Sequence, residues 1–584
     1  MTVPGRAPSP RSVSPPERLR PTSQLAQRIK RLAEIDWSAA EDRRAVWLLG
    51  ALMLFVGVLL MYMARGTTFY YDEWTYIVSK FGGGINSFLE PHNEHFSLIP
   101  IAIYKLMFRI VGMRDYPLYR LIVVVMHLVC VALVYDIARR RIGAWPALVA
   151  AISVLWLFAA WQNLLWAFQM SFVGSVMGGL AAWALIDRDT RRCDIAAGVA
   201  LGVALSCSGL GIPFVPGIAA ELVWQRRWRR LWLVAVPFAL YLLWYTHYGV
   251  NMVTTNSVIQ SPQWILEMVA AGFGALVGRD TDWGVPVTVL LLWLAAKRVV
   301  AVERLSPRFI GAAITTVAYV VLTGVSRSTI QAPDESRYLY LGAVCLVMAA
   351  IELLPKMRPT GRAMGVATVF LLAAALMGWQ TMHNNALVLR GESTLLAAQV
   401  GAMQLEAAHA PPAYAPDPTI APPLTAAGYF KAMREMGNGA GDSPAAILAS
   451  SVTDRIAADT VLLQLLAPAV APRPLPAAAA PVPTLAGVNG ARVVRSGSCL
   501  VLDPSAPTAL VALAMPRGGV FIRNHGATSA TLELRRFSAA YTPIAGVVPA
   551  HHADALAIPV DASSVPWYLQ VSITGPTRVC GLTT

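Results

Sequence analysis

Two adjacent carboxylates, Asp72 and Glu73, lie between aromatic residues shortly after the first apolar stretch of the chain. That stretch, Ala45 to Ala64, contains about 20 residues, the length that crosses a bilayer as a helix. Ionisable groups where a membrane helix emerges are costly to desolvate, so they indicate a functional site. Either carboxylate could take the proton of an attacking hydroxyl as a general base. The pair could also hold a divalent cation against a phosphate leaving group, or it could be an ordinary solvated pair in a loop.

A second polar group, His92, Glu94 and His95, follows in the same loop. Their spacing could ligate a metal, and the cation would be Mg²⁺, Mn²⁺ or Ca²⁺ with Asp72, Glu94 and His95 as the candidate ligands. Their spacing differs from the helical HExxH pattern. The same three loop residues could instead orient an acceptor, and His95 could neutralise a phosphate. A structural role is equally compatible with the sequence, so metal dependence stays open.

A third candidate is the polar stretch Ser326 to Tyr338, which precedes a late apolar run. Arg337 and Tyr338 enter that run at its end, where an arginine can bind a lipid-linked phosphate through two hydrogen bonds. The alternative is an interfacial arginine paired with Asp334 or Glu335. Lys105 is a weaker candidate for the same phosphate-binding role.

The composition places these groups in a membrane protein. The 584 residues are 56% hydrophobic and only 14% charged, whereas soluble domains carry about 25% charged residues. The net charge of +14 does not indicate nucleic-acid binding, because the basic residues fall in short clusters between apolar runs. Such clusters mark the cytoplasmic side of membrane proteins. Abundant alanine and arginine suggest a GC-rich bacterial genome, so we expect a bacterial plasma membrane.

Hydrophobic runs and basic clusters together predict about eleven membrane spans, with the N-terminus cytoplasmic and the C-terminus extracytoplasmic. We expect the stretches near 95–109 and 264–277 to be interfacial or re-entrant helices. The predicted spans are approximately residues 45–64, 118–138, 144–161, 165–186, 195–207, 212–224, 231–246, 285–300, 309–325, 338–354 and 364–379.

Four regions follow from this division. Residues 1–44 are expected to be a disordered cytoplasmic tail, and residues 45–380 a transmembrane catalytic domain. Residues 381–484 are expected to be an extracytoplasmic helical and linker region, ending in a Pro- and Ala-rich stretch. Residues 485–584 contain short alternating runs, which predict a small antiparallel β-sandwich.

Cys499 and Cys580 bracket the predicted sandwich, and it contains no other cysteine. On the oxidising face of a membrane a disulfide between them is expected.

The first loop, with Tyr-Asp-Glu-Trp at 71–74 and His-Phe-Ser-Leu-Ile-Pro at 95–100, resembles the GT-C superfamily of integral-membrane glycosyltransferases. It is similar to the branch that contains lipid A aminoarabinose transferase and protein O-mannosyltransferases. The resemblance implies a polyprenyl-phosphate-linked sugar donor, transfer on the extracytoplasmic face with inversion, and a catalytic role for Asp72 and perhaps Glu73. The outer module is similar to the carbohydrate-binding modules of actinobacterial arabinosyltransferases.

The expected function is therefore sugar transfer from a polyprenyl-phosphate donor to a cell-envelope glycan or glycolipid. One alternative is a transporter or flippase of lipid-linked sugars, which would need inverted repeats and broken helices. Another is a non-catalytic envelope scaffold whose outer module binds glycan.

Overall fold

The computed structural model describes residues 37–279, 281–301, 304–354, 360–472 and 481–582. Most of the predicted cytoplasmic tail, residues 1–36, lies outside the described residues. The tail boundary at residue 44 is wrong, because the first helix begins at Trp37 and continues to Met63.

Helices form most of the chain before residue 470. The α-helices are Trp37–Met63, Glu73–Thr75, Asn86–Leu89, Leu98–Ile110, Tyr116–Ile142, Ala144–Leu155, Trp161–Leu165, Met170–Ile186, Arg191–Cys207, Phe214–Trp224, Trp232–Tyr248, Thr255–Leu276, Thr281–Ala301, Pro307–Arg327, Ser336–Leu353, Gly361–Leu405, Ala426–Met436, Pro444–Ala449 and Val452–Leu466. A π-helical turn spans Tyr76–Lys80, and 3₁₀ turns span Phe158–Ala160, Ala167–Gln169, Gly209–Gly211 and Trp228–Arg230.

Nine helical segments within the described ranges are long and apolar enough to cross a membrane, judged by length and composition. They correspond to nine of the eleven predicted spans, and they indicate a multi-pass membrane protein. The two other predicted spans, 195–207 and 212–224, fall on helices of 17 and 11 residues. These helices are shorter than the roughly 20 residues that a bilayer requires. The turn Gly209–Gly211 joins them, but Arg191–Cys207 packs mainly on Met170–Ile186, and Phe214–Trp224 packs mainly on Pro307–Arg327.

Buried ion pairs join the helices at the end of the bundle where Pro307–Arg327 begins. The Arg308 guanidinium is completely buried and donates to Glu221 at 2.7 Å and to Asp187 at 2.9 Å. Arg141 lies 3.2 Å from Glu352 in the same cluster. Charges removed from water are retained only when they are paired in this way, so the cluster fixes how these helices meet.

The helix Gly361–Leu405 is continuous over 45 residues. It begins where the Thr360 hydroxyl caps the Ala363 N–H at 3.2 Å. The predicted domain boundary between residues 380 and 381 therefore falls inside one helix. Arg390 on this helix donates to the backbone oxygens of Arg65 and Met63, at 2.8 and 3.0 Å. These bonds cap the carbonyls at the end of the first membrane helix.

The C-terminal region forms two antiparallel sheets that share a hydrophobic core. Its strands are β1 Val470–Pro472, β2 Thr484–Asn489, β3 Ala491–Ser496, β4 Cys499–Pro504, β5 Ala509–Ala514, β6 Gly519–Asn524, β7 Thr531–Arg535, β8 Thr542–Pro543, β9 Ala553–Ala557, β10 Tyr568–Ile573 and β11 Thr577–Gly581. The six-stranded sheet has the order β1-β9-β6-β11-β4-β3, and the five-stranded sheet the order β2-β5-β10-β7-β8.

The sandwich begins earlier in the chain than predicted, because β1 precedes residue 485. The predicted proline-rich linker thus connects two strands of this module, and residues 473–480 of it lie outside the described residues. Alternate residues of β10, Leu569, Val571 and Ile573, are buried in the shared core. Cys499 on β4 and Cys580 on β11 face each other and are joined by a disulfide.

Candidate functional site

The site begins in the loop after the first membrane helix, at Tyr71. Its φ angle of 48° lies in the left-handed region, which is uncommon for residues other than glycine. The Tyr71 N–H donates to the backbone oxygen of Ile420 at 3.0 Å, so the outer helical region holds this conformation. Strained backbone persists where surrounding structure stabilises it, often at functional sites. This turn sets the direction of the next residue, Asp72.

Asp72 is partly exposed, and within the described residues its carboxylate makes no hydrogen bond or ion pair. Burial raises the pKa of the Asp72 carboxyl, and the nearby guanidinium groups of Arg337 and Arg327 oppose that rise. The Asp72 side chain therefore combines a raised pKa with the electrostatic influence of two cations. A carboxylate in these surroundings can accept a proton from a bound hydroxyl.

Glu73 points away from Asp72 into the protein and is completely buried. It accepts hydrogen bonds from the Tyr70 N–H at 2.9 Å, the Tyr116 hydroxyl at 2.9 Å and the Trp166 indole N–H at 2.9 Å. The Tyr104 hydroxyl is a fourth donor. Burial raises the pKa of Glu73 to about 7, while these four donors counteract the rise. The predicted direct catalytic role does not suit a carboxylate with four protein donors, and Glu73 instead anchors the loop.

Glu94 and His95 lie beside the arginine that ends the helix Pro307–Arg327. Glu94 forms an ion pair with Arg327 and lies 3.1 Å from the His95 ring. The backbones of His92 and His95 exchange two hydrogen bonds, and Asn93 between them has a φ of 54°. This tight turn places Glu94 against a cation.

His92 is buried and His95 is partly buried, and both are uncharged at neutral pH. Burial lowers the pKa of His92 to about 3 and that of His95 to about 4. The His92 ring packs against Tyr76 and Phe168, with centroids 4.9 and 5.2 Å apart. The His95 ring packs edge-on against Phe172 at 5.8 Å. His92 is therefore part of the aromatic packing, while His95 remains beside Glu94 and Arg337.

The proposed metal ligands Asp72, Glu94 and His95 do not form a metal-binding cluster. Within the described part of the chain, no three His, Cys, Asp or Glu side chains come together in a suitable group. The Glu94 carboxylate faces the Arg327 guanidinium, which occupies the position that a cation would need. This arrangement does not fit a divalent cation.

Arg337 interacts with several groups of the site. It lies 3.4 Å from Glu335, which is the pairing that the sequence left open, and Gln162 donates to the same Glu335 carboxylate at 2.8 Å. The Arg337 Nε–H is buried and has no hydrogen-bond acceptor among the described residues. Its charge also acts on Asp72 and His95. A guanidinium with an unused donor beside a carboxylate can bind an anionic ligand.

The two other predicted phosphate ligands have different neighbours. The Tyr338 hydroxyl donates to Gln331, and its ring packs between Phe172 and Trp264 at 6.4 and 6.2 Å. Lys105 donates to the backbone oxygen of Gly83 at 3.1 Å. The structure thus brings neither side chain to Asp72 with a free polar group.

Arg327 is a site residue to which the sequence interpretation gave no role. It is the last residue of the helix Pro307–Arg327, and it forms an ion pair with Glu94 and acts on Asp72. The sequence did contain a reason to consider Arg327, because it belongs to the same polar stretch as Arg337. Its function depends on the contact with the first loop, which the sequence does not show.

Comparison with known proteins finds a family match in the helical region. Residues 97–246 match the family model described as dolichyl-phosphate-mannose-protein mannosyltransferase. The match indicates a membrane glycosyltransferase of the GT-C type. It covers about a quarter of the chain, and Asp72, Arg327 and Arg337 lie outside the matched segment. No curated protein matches the chain significantly.

Proposed function

We propose that this glycosyltransferase moves a sugar from a polyprenyl-phosphate-linked donor to a cell-envelope glycan or glycolipid. Transfer takes place on the extracytoplasmic face of a bacterial plasma membrane, with the N-terminus in the cytoplasm and the sandwich outside. The observation that carries the proposal is the Asp72 carboxylate, which has no hydrogen bond or ion pair among the described residues and interacts electrostatically with Arg327 and Arg337. These groups lie where the membrane helices Pro307–Arg327 and Ser336–Leu353 meet the first loop.

In the proposed reaction, an acceptor hydroxyl attacks the anomeric carbon of the donor sugar. A new carbon–oxygen bond forms with inversion, and the bond between the anomeric carbon and the phosphate oxygen breaks. The electron pair of that bond leaves with the polyprenyl phosphate, and the hydroxyl proton passes to Asp72. Arg337 and Arg327 stabilise the negative charge that grows on the leaving phosphate. Donors placed at developing charge often supply the largest single contribution to catalysis.

An apolar groove next to the site suits the donor lipid. Its volume is about 530 Å³, and it lies between the helices Arg191–Cys207 and Trp232–Tyr248 and the first loop. Phe96 lines it beside His95 and stacks on Trp244, with centroids 4.6 Å apart. A groove of this size and character can hold part of a polyprenyl chain while its phosphate reaches the arginines.

A second cavity offers a path for the acceptor. It has a volume of about 340 Å³ and is lined by Trp161, Arg279, Asp334 and Glu335 among others. Glu335 belongs to both this cavity and the surroundings of Arg337. The sandwich would hold a growing glycan near this opening, where tethering raises its effective concentration.

The proposal is tested by measuring transfer of labelled sugar from polyprenyl-phosphate donors to envelope glycan. Membranes that contain the wild-type chain should form product, and membranes with Asp72→Ala at equal protein level should not. Translocation of lipid-linked sugar without transfer would favour the flippase. Glycan binding that needs only the sandwich, without transfer or translocation, would favour the scaffold.

A further inference from the structure

A third cavity, lined by three arginines, lies far along the chain from the first loop, where the helix Val452–Leu466 packs on the sandwich. Its volume is about 450 Å³, within the range of small-molecule sites. It lies where β7 ends and β10 begins. Its lining includes Arg455, Arg535, Arg536, Ser564 and Tyr568.

Two of the three arginines in this cavity lack an anionic partner. Arg455 makes no side-chain hydrogen bond or ion pair within the described residues, and its Nε–H is buried. Arg535 donates only to the backbone oxygen of Ser538, at 2.8 Å, and its Nε–H is also buried without an acceptor. Buried donors without partners cost free energy, so these positions suit a ligand that supplies acceptors.

Aromatic rings hold one of these guanidinium groups in place. Arg535 lies over the rings of Tyr568 and Tyr541, at 4.3 and 4.9 Å from the ring centroids. Cation–π contacts orient a guanidinium while leaving its edge free for hydrogen bonds. Tyr568 also lines the cavity, so its side chain is within reach of a bound sugar.

The neighbouring carboxylates are already engaged elsewhere. Asp561 forms an ion pair with Arg536 and accepts from the Ser563 N–H at 2.8 Å. Asp459 accepts from the backbone N–H groups of Arg536, Phe537 and Ser538, at 3.0, 2.9 and 3.0 Å. Neither carboxylate compensates the other two arginines, so the cavity keeps a positive charge.

We propose that this cavity binds an anionic saccharide, one that carries a phosphate or carboxylate group on a sugar ring. Arg455 and Arg535 bind the anionic group, and Tyr568 packs on the sugar. Planar guanidinium groups suit both phosphate and carboxylate oxygens. The inference rests on the glycan-binding role proposed for the sandwich, and it specifies the class of glycan.

The test is calorimetric titration of the full-length protein in detergent with four probes: glucose 6-phosphate, glucuronate, glucose and inorganic phosphate. The two anionic sugars should bind at least about tenfold more tightly than glucose or inorganic phosphate, in line with charge-assisted bonds combined with ring packing. Equal binding of inorganic phosphate and glucose 6-phosphate would overturn the saccharide assignment.

Variants distinguish this cavity from the rest of the molecule. Arg455→Gln should reduce the affinity for both anionic sugars about tenfold or more, because one charged bidentate group is lost. This substitution removes no hydrogen bond within the described residues, so folding is retained. Arg495→Gln removes an exposed charge of the same module and should leave binding unchanged. Unchanged binding in Arg455→Gln would contradict the proposal.

The result also separates this site from the proposed transfer reaction. Asp72→Ala should bind glucose 6-phosphate as the wild-type protein does, although it forms no transfer product. Absence of anionic-sugar binding in a protein that transfers sugar would refute the cavity assignment alone. Binding in a protein that transfers nothing would support the cavity while the proposed reaction fails.

Discussion

Asp72 and Glu73 are neighbours in the sequence, but their carboxyl groups lie in two different regions of the molecule. Asp72 is partly exposed, has no protein hydrogen bond in the described structure, and lies near the guanidinium groups of Arg327 and Arg337. Glu73 is completely buried and accepts four hydrogen bonds. Asp72 is the N-cap of the short helical turn Glu73–Thr75 and has helical backbone angles, so its side chain and that of Glu73 point about 100° apart.

The difference shows how a paired-carboxylate motif can divide two tasks. One carboxylate remains available to substrate because nothing in the protein satisfies it. The other is unavailable because tyrosine and tryptophan side chains already satisfy it. The buried member fixes the turn from which the free member projects, so loss of Glu73 should affect folding first and chemistry second.

Among substitutions of the arginines that act on Asp72, Arg337→Gln should reduce sugar transfer most. We expect transfer to fall about 10²-fold, since a donor at the developing phosphate charge is removed. Labelled-sugar transfer at saturating donor measures the change. Thermal unfolding should be close to that of the wild-type protein.

Arg337→Lys is the matched control for that experiment. It keeps the charge but loses the planar pair of donors, so transfer should lie between the values of the wild-type protein and Arg337→Gln. Equal rates in all three proteins would exclude Arg337 from the reaction.

Glu73→Gln should separate the two carboxylates by stability. The amide places N–H donors against the hydroxyls of Tyr104 and Tyr116, so the buried network loses one of its two acceptor oxygens. We expect a loss of about 1–3 kcal/mol, seen as a lower Tm of the purified protein in detergent. Asp72→Asn, assayed beside it, should keep the wild-type Tm. Equal Tm values for both variants would remove the structural distinction between the two residues.

The pH dependence of transfer should reflect the protonation of the Asp72 carboxyl group. Only the carboxylate form accepts a proton, so transfer increases as pH rises through the pKa of Asp72. Burial raises that pKa above the ordinary value of 3.8. The acid limb of the rate–pH profile, where transfer falls as the pH is lowered, should therefore lie at a higher pH than for an ordinary aspartate. Arg337→Gln removes a cation that opposes the rise, so the limb should move to higher pH in a rate–pH profile. A limb that moves to lower pH would contradict the assignment.

Tyr116→Phe should give the smallest effect. It removes one of the four donors to Glu73 and leaves the ring in place. A cost of about 1 kcal/mol is expected, measured as a modest decrease in Tm. Tyr62→Phe, at an exposed position on the first helix, is the control and should be neutral. A larger decrease for the control would indicate that ring hydroxyls do not act through Glu73.

The sequence predicted the membrane helices well because length and apolarity decide them. Nine of the predicted spans correspond to long apolar helices in the described part of the chain. The errors occurred where apolar runs were short. The helix Phe214–Trp224 is apolar because it packs on Pro307–Arg327 and other helices, and hydropathy alone cannot distinguish this from contact with lipid. The strands of the sandwich were predictable because polar and apolar residues alternate along Tyr568–Ile573 and similar runs.

The site was only partly predictable. Asp72 and Arg337 stood out by their positions at the ends of apolar runs. The burial of Glu73 could not be seen, because its donors Tyr104, Tyr116 and Trp166 lie 31, 43 and 93 residues away. The pairing of Glu94 with Arg327 likewise depends on tertiary contact and removes the predicted metal ligand.

The most direct test of the account is to purify Asp72→Asn and measure its Tm and its rate of sugar transfer in the same preparation. We predict a wild-type Tm and a transfer rate reduced by about 10²-fold or more, because the general base is lost while no protein hydrogen bond is broken. Transfer at the wild-type rate with an unchanged Tm would show that Asp72 is not the base.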